Sequence, residues 1–266
     1  GIGYDFSTLR PKNAPVKGVD ADASGPLTFM DVWDAMCRTV MSAGSRRGAM
    51  IATMRCDHPD IEAFIEAKKD PLRLRMFNLS VLITDAFMQA VKDDAMWNLH
   101  FTNRHGDRRV YKTVRAKDLW TQIMRNTYEG AEPGVIFIDR INKQNNLWYM
   151  ETIAATNPCG EQPLPPYGAC LLGSLNLAKF VMNPFTPAAS VSPDALKKAI
   201  KSAVRLLDSV IDISLFPIPE QKAEAKAKRR MGIGVTGLAD MLLMLNVVYG
   251  SDKAAELTEQ IMKDLA

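Results

Sequence analysis

The stretch Thr156-Asn157-Pro158-Cys159-Gly160-Glu161-Gln162-Pro163-Leu164-Pro165-Pro166-Tyr167-Gly168-Ala169-Cys170-Leu171-Leu172-Gly173-Ser174-Leu175-Asn176-Leu177 changes character along its length. Ahead of Leu171 it carries prolines at 158, 163, 165 and 166 and glycines at 160 and 168. Proline lacks the backbone donor and fixes φ, so neither a regular helix nor a central strand can form there. Residues 169–177 then turn apolar and read as a strand that contains Cys170. Cys159 is therefore placed on a stiff, irregular loop leading into a strand. Asn157 and Glu161 flank it two residues away on either side, supplying an amide and a carboxylate base.

A cysteine in an apolar pattern is usually a small hydrophobe, and that is the reading for Cys37, for Cys56 and, taken alone, for Cys170. Cys159 has no apolar pattern to join. No His or cation sits next to it to favour a thiolate, and His58, His100 and His105 read as turn or surface residues. A nearby carboxylate disfavours a second anion, so the composition suits a neutral S–H that passes a hydrogen atom rather than a nucleophile.

Outward from this segment, short apolar runs bounded by turn residues read as strands at 2–6, 50–55, 77–84, 135–138 and 232–236. Three- and four-residue spacing reads as helix at 27–43, 61–68, 85–92, 116–128, 192–213, 220–229 and 238–245. Strand and helix alternate through most of the chain, which makes the class α/β with much of its sheet parallel. Residues 12–25 form a polar loop, punctuated by Gly and Pro and too long for a tight turn, and this is a candidate binding loop. Residues 42–48 place Arg46 and Arg47 between glycines, which suits close backbone approach and contact with an anion. The basic run at 223–230 has the spacing of a solvated helix face.

The 266 residues carry 33 Lys+Arg against 30 Asp+Glu, for a net charge of +3, and 47% are hydrophobic, which excludes a disordered chain. The signs are interspersed, which disfavours general nucleic-acid binding. No run reaches the ~18 apolar residues of a membrane span, and the start lacks the sections of a secretory signal, so a cytoplasmic location is expected. Four cysteines without a CxxC pair indicate neither a disulfide framework nor a metal site. The chain begins Gly-Ile-Gly-Tyr-Asp-Phe within a strand-like run and stops at Ala266 within a helical pattern, as expected of a piece cut at both ends.

The run NPCGEQPLPPYGACLLGSLNL (157–177) resembles the finger-loop signature of the large, catalytic chain of ribonucleotide reductases. Pro-Cys-Gly-Glu-Gln followed by a second Cys eleven residues on is most similar to the adenosylcobalamin-dependent class. GIGYDFSTLRPKNAPVKG, SAGSRRGAMIATMRCDHPDI, FNLSVLITDAFMQAV, PGVIFIDRIN and RRMGIGVTGLADML resemble barrel segments of that family, in the family's order. The resemblance implies that residues 1–266 are part of a single catalytic domain, the ten-stranded α/β barrel of that family, with a finger loop carrying the radical cysteine.

It further implies that Cys159 becomes a thiyl radical that takes the 3′-hydrogen of a ribonucleotide, that Glu161 removes the 3′-hydroxyl proton, and that Asn157 hydrogen-bonds the sugar. Cys170 matches one of two thiols that reduce the sugar, the other lying upstream of Gly1. Residues 12–25, with Lys17 as a phosphate contact, resemble the loop that holds a deoxynucleotide effector. Residues 42–48 resemble the loop that relays effector identity through Arg46 and Arg47. A thioredoxin-like or dithiol reductant and a homodimer are the implied partners. The cofactor implied is adenosylcobalamin, the alternative being a radical from a di-iron or di-manganese partner chain. A non-catalytic chain that only binds deoxynucleotides is the other reading.

Overall fold

A computed structural model describes residues 1–16, 18–42 and 46–266. The chain divides into two compact units, Gly1–Pro166 and Tyr167–Ala266. In the first, β1 (Ile2–Asp5) leads through a loop to α1 (Pro26–Thr39), whose first turn carries Pro26, where the missing N–H is no loss. The expected helix over 27–43 ends early. The chain turns instead into a two-stranded ribbon in which β2 (Met41–Ser42) pairs antiparallel with β3 (Arg46–Arg47). Then follow β4 (Met50–Arg55), α2 (Ile61–Ile65), β5 (Phe77–Ile83) and α3 (Asp85–Lys92), the last capped by Thr84, whose Oγ1 accepts from Phe87 N at 3.1 Å.

An antiparallel hairpin of β6 (Met96–Thr102) and β7 (Arg108–Arg115) precedes α4 (Ala116–Gly130), β8 (Gly134–Phe137) and α5 (Ile138–Gln144). Residues 135–138, read as one strand, thus pass into α5 at Ile138. The β6–β7 hairpin has no counterpart in the sequence reading. β7 is mostly exposed and rich in Arg and Lys, whereas β6 turns Leu99 into the core and packs Trp97 against it, so the hairpin has one solvated strand and one that is partly buried.

The central sheet is four-stranded and parallel, in the order β1-β4-β5-β8. Side chains alternate between its faces. Met50, Ala52, Met54, Phe77, Leu79, Val81 and Ile83 face a core filled by Met30 of α1, Phe64 of α2, Phe87 of α3 and Ile123 of α4. The other face carries a different set. Gly3, Ile51 and Asn78 form one cross-strand row, and Asp5, Thr53, Ser80 and Gly134 the next. Against Gly3 of that face sits the Cys159 segment, as a hairpin of β9 (Ala155–Thr156) and β10 (Pro163–Leu164).

The second unit pairs β11 (Leu171–Asn176) in parallel with a late strand, so the residues between must form a crossover. That crossover contains a small ribbon, β12 (Val181–Met182) with β13 (Ser190–Val191), and the helices α6 (Pro193–Ile213) and α7 (Pro219–Lys228). The partner strand β14 (Met231–Thr236) is followed by α8 (Leu238–Met244) and α9 (Asp252–Leu265). Leu177, Leu196, Ile200, Met241, Leu242 and Ile261 form its core. The strand expected over 169–177 starts at Leu171, leaving Cys170 in the approach to it. Both units carry parallel strands joined by helical crossovers, the α/β class read from the sequence.

Candidate active site

The loop around Cys159 is closed by its own residues. Thr156 pairs with Pro163 and Ala155 with Leu164. Inside that frame Asn157 N donates to Gln162 O at 3.2 Å, and Gln162 N donates to Asn157 Oδ1 at 2.9 Å. Gly160 N donates to Asn157 O at 3.0 Å, closing a turn over Asn157, Pro158, Cys159 and Gly160. Pro158 supplies the φ that suits the second turn position, and Gly160 takes φ +86°, a region glycine enters without strain. The irregular loop expected from the prolines is thus a short hairpin with a tight tip.

The tip is held to the sheet from below. A Cβ on Gly3 would lie 1.7 Å from the Thr156 carbonyl oxygen, and one on Gly1 2.7 Å from Pro158 Cγ, so β1 admits the hairpin only because both positions lack side chains. Asn78 Nδ2 donates to the Pro158 carbonyl at 2.7 Å. Pro158 is buried by this packing while Cys159, Gly160 and Glu161 are exposed. A Cβ on Gly160 would meet no atom within 4 Å, so the outer side of the tip is open.

Asn157, Cys159 and Glu161 therefore stand on one six-residue turn, with the thiol at its crest. Asn157 Oδ1 is engaged by Gln162 N, so the amide group is what this side chain has to offer a ligand. Cys170 belongs to the second unit, where its Sγ donates to Leu171 O at 3.6 Å. It lines a cavity of about 40 Å³ with Ile211, Ser214, Phe216 and Arg230. Among the described residues no group of three His, Cys, Asp or Glu side chains could hold a metal, and no helix is long and apolar enough to cross a membrane.

The long loop at 12–25 is a small hairpin with a bridge between Pro15 and Asp22, and Asn13 N donates to Ala23 O at 2.8 Å. Lys17 lies outside the described residues. Arg46 and Arg47 form β3, in a ribbon rather than a free loop, and their side chains lie outside the described part.

The turn after β4 holds residues that the sequence reading passed over. His58, read as a turn or surface residue, is in a turn but only 2% exposed, because its ring is pulled under the chain by two bonds. Its Nε2 meets Leu9 O at 3.0 Å and its Nδ1 accepts from Asp60 N at 3.1 Å. Asp60 Oδ2 in turn accepts from Lys12 N at 2.9 Å, so this turn anchors the base of the 12–25 hairpin. Burial lowers the His58 pKa below the ordinary imidazole value, and burial raises that of Asp5 at the end of β1. The one sequence signal for the anchor was the pair His58 and Asp60 around Pro59, a turn composition without an address.

Comparison with known proteins agrees with this arrangement. The family model described as ribonucleotide reductase, barrel domain, matches residues 1–266. The chain is 38% identical over 263 residues to a vitamin B12-dependent ribonucleoside-diphosphate reductase of Thermoplasma acidophilum, covering 98% of this chain and 33% of that one. It is 40% identical over 264 residues to the protein of the same name in Mycobacterium tuberculosis, covering 99% and 37%. With a ribonucleoside-diphosphate reductase subunit alpha of Chlamydia pneumoniae the identity is 28% over 298 residues, covering 100% and 28%. The chain spans about a third of the length of these two B12-dependent relatives. A parallel α/β scaffold presenting an Asn-Pro-Cys-Gly-Glu turn and matched along its whole length by one family model leads to one conclusion: the chain belongs to the ribonucleotide reductase barrel-domain family.

Proposed function

We propose that this chain is part of the catalytic barrel of a ribonucleotide reductase, both of its units belonging to one domain, and that it converts ribonucleotides to 2′-deoxyribonucleotides by radical chemistry at Cys159. The observation that carries this is the exposed thiol at the crest of a tight turn whose backbone is closed on itself and tied to a parallel sheet. Such a group is fixed in position yet open to a bulky reactant, which is what hydrogen-atom transfer at contact distance requires.

The Cys159 sulfur, as a radical, takes the 3′-hydrogen and returns it at the end. Glu161 accepts the 3′-hydroxyl proton, and Asn157 donates its amide hydrogens to the sugar. The 2′-hydroxyl leaves as water, and Cys170 with a second thiol supplies two electrons and two protons, becoming a disulfide. The diphosphate form of the substrate follows the names of the relatives, as does the cobalamin. Adenosylcobalamin, when bound, supplies the one-electron chemistry that opens the Cys159 S–H bond. The open side at Cys159, Gly160 and Glu161 fits so large a group, and these three residues would face it. Identities of 38% and 40% to B12-dependent relatives against 28% to a subunit alpha favour it over a di-metal partner chain. A deoxynucleotide effector at residues 12–25 and 42–48, a dithiol reductant, a homodimer and a cytoplasmic location complete the reading.

The test is reduction by the full-length protein, purified free of iron and manganese, with adenosylcobalamin and a dithiol. Turnover is expected from the unaltered protein, and Cys159→Ser should fall to the cofactor-free blank, because an O–H bond is too strong to yield the radical. Deoxynucleotide formation by the serine variant would overturn the assignment of Cys159. Turnover only with a di-metal partner chain would overturn the cofactor.

A further inference from the structure

The bonds inside the 157–162 turn close it on itself but do not attach it to the barrel strands. Among the described residues, the hydrogen bond that does so comes from Asn78, on β5, in the same cross-strand row as Gly3 and Ile51. We infer that Asn78 is a positioning residue for Cys159, acting through the Pro158 carbonyl. The inference rests on the proposed role of Cys159 for its catalytic part, but not for its geometric part.

The peptide joining Pro158 to Cys159 is planar. Holding its carbonyl oxygen at 2.7 Å from Asn78 Nδ2 therefore places the nitrogen and Cα of Cys159 as well. Pro158 cannot absorb the constraint by rotating φ, because its ring locks that angle. On the other side, the bond from Gly160 N to Asn157 O limits how Cys159 can turn about its own backbone. Gly3 lets the Thr156 carbonyl rest against β1, which sets the height of the turn, and Asn78 sets its direction. Gly3 and Asn78 thus act on successive parts of one backbone from two strands of one sheet. A displacement of about 1 Å at a reacting atom can cost on the order of a hundredfold in rate. One amide bond at the residue before the thiol is therefore enough to matter to turnover while leaving the fold intact, since Asn78 is an exposed side chain.

The experiment uses the full-length protein. Asn78→Leu keeps the branched shape and removes the donor, and Asn78→Gln keeps an amide on a longer arm. Each is measured for kcat and KM, for thermal midpoint, and for the rate at which iodoacetamide alkylates Cys159, read by peptide mass. For Asn78→Leu we expect kcat to fall at least tenfold with KM within twofold, and the alkylation rate of Cys159 to change at least threefold. Asn78→Gln should recover part of both. Should Asn78→Leu not fold, Asn78→Ala carries the same expectation. Unaltered kcat and alkylation in the Leu variant overturn the inference, and so does an equal defect in Leu and Gln with alkylation unmoved. If Cys159→Ser itself retains reduction, the proposed function fails, and the alkylation rates still decide whether Asn78 sets the thiol.

Discussion

Two cysteines of the first unit lie in sequence neighbourhoods of the same kind: Arg55-Cys56-Asp57-His58-Pro59 and Asn157-Pro158-Cys159-Gly160-Glu161, each with a proline and a carboxylate close by. Their fates are opposite. Cys56 N donates to Leu82 O at 3.1 Å, keeping the residue in line with β4 at the sheet's end. Trp97 closes over it, its Nε1 donating to Cys56 O at 3.1 Å. Cys56 is 0% exposed, and burial pushes its thiol up to about 12. Cys159 projects from a turn whose proline, not its cysteine, is the buried member. Polar neighbours thus do not make a thiol available. Availability is set by whether the backbone continues in line with a strand that other elements cover, or turns back over an open face.

The largest expected consequence is in reactivity. A thiol moved from 9.0 to about 12 holds roughly a thousandth of the thiolate at a given pH, and Cys56 must also be uncovered before reagent reaches it. Iodoacetamide should therefore label the exposed Cys159 far faster than the buried Cys56 in the native protein. Comparable rates would erase the contrast.

Next is the support beneath the turn. Gly3→Ala puts a Cβ into the Thr156 carbonyl, forcing the hairpin off the sheet, and a cost of about 2–3 kcal/mol is expected in thermal or denaturant unfolding. Gly160→Ala meets nothing in space and should lose only about 1 kcal/mol, from its left-handed backbone. Equal losses would show that the sheet does not carry the tip. At the other thiol, Cys56→Ala should cost about 1 kcal/mol while leaving the labelling of Cys159 unchanged. A changed rate at Cys159 would mean that the two regions are coupled.

The smallest effect concerns pH. Because the folded pKa of His58 is lowered, the unfolded chain takes up its proton first as pH falls below 6.5. Its contribution to stability is present above 6.5 and is lost as pH falls toward the lowered folded value. Asp5 has the opposite sign: its raised pKa stabilises below 3.8 and that contribution is lost as pH rises through the folded value. Unfolding midpoints measured from pH 7.5 to 5 should fall more steeply in the unaltered chain than in His58→Gln. Parallel curves would show that the imidazole does not titrate on unfolding.

Much of this was legible in the amino acids. The parallel strands at Met50–Arg55 and Phe77–Ile83 announced themselves as apolar runs, and the prolines around Cys159 marked a place where the chain had to be irregular. Cys37 and Cys56 were recognisable as core residues from the patterns around them. The β6–β7 hairpin was missed although Trp97, Leu99 and Phe101 alternate along β6, because its partner β7 is largely solvated and basic and offers no matching apolar period. His58 was hidden for another reason: a turn composition does not say which chain passes over the turn.

By itself, then, the sequence determined the α/β alternation, the stiff turn and the residues at its crest, since periodicity, φ restriction and turn chemistry act between neighbours. Only the tertiary structure decided what lies beneath that turn. Gly3, Ile51 and Asn78 become a row through strand register, and Asn78 reaches Pro158 across eighty residues of chain. Register is a cooperative property of whole strands packed on a common core, so no local pattern in the sequence could single out a glycine and an asparagine as the seat of Cys159.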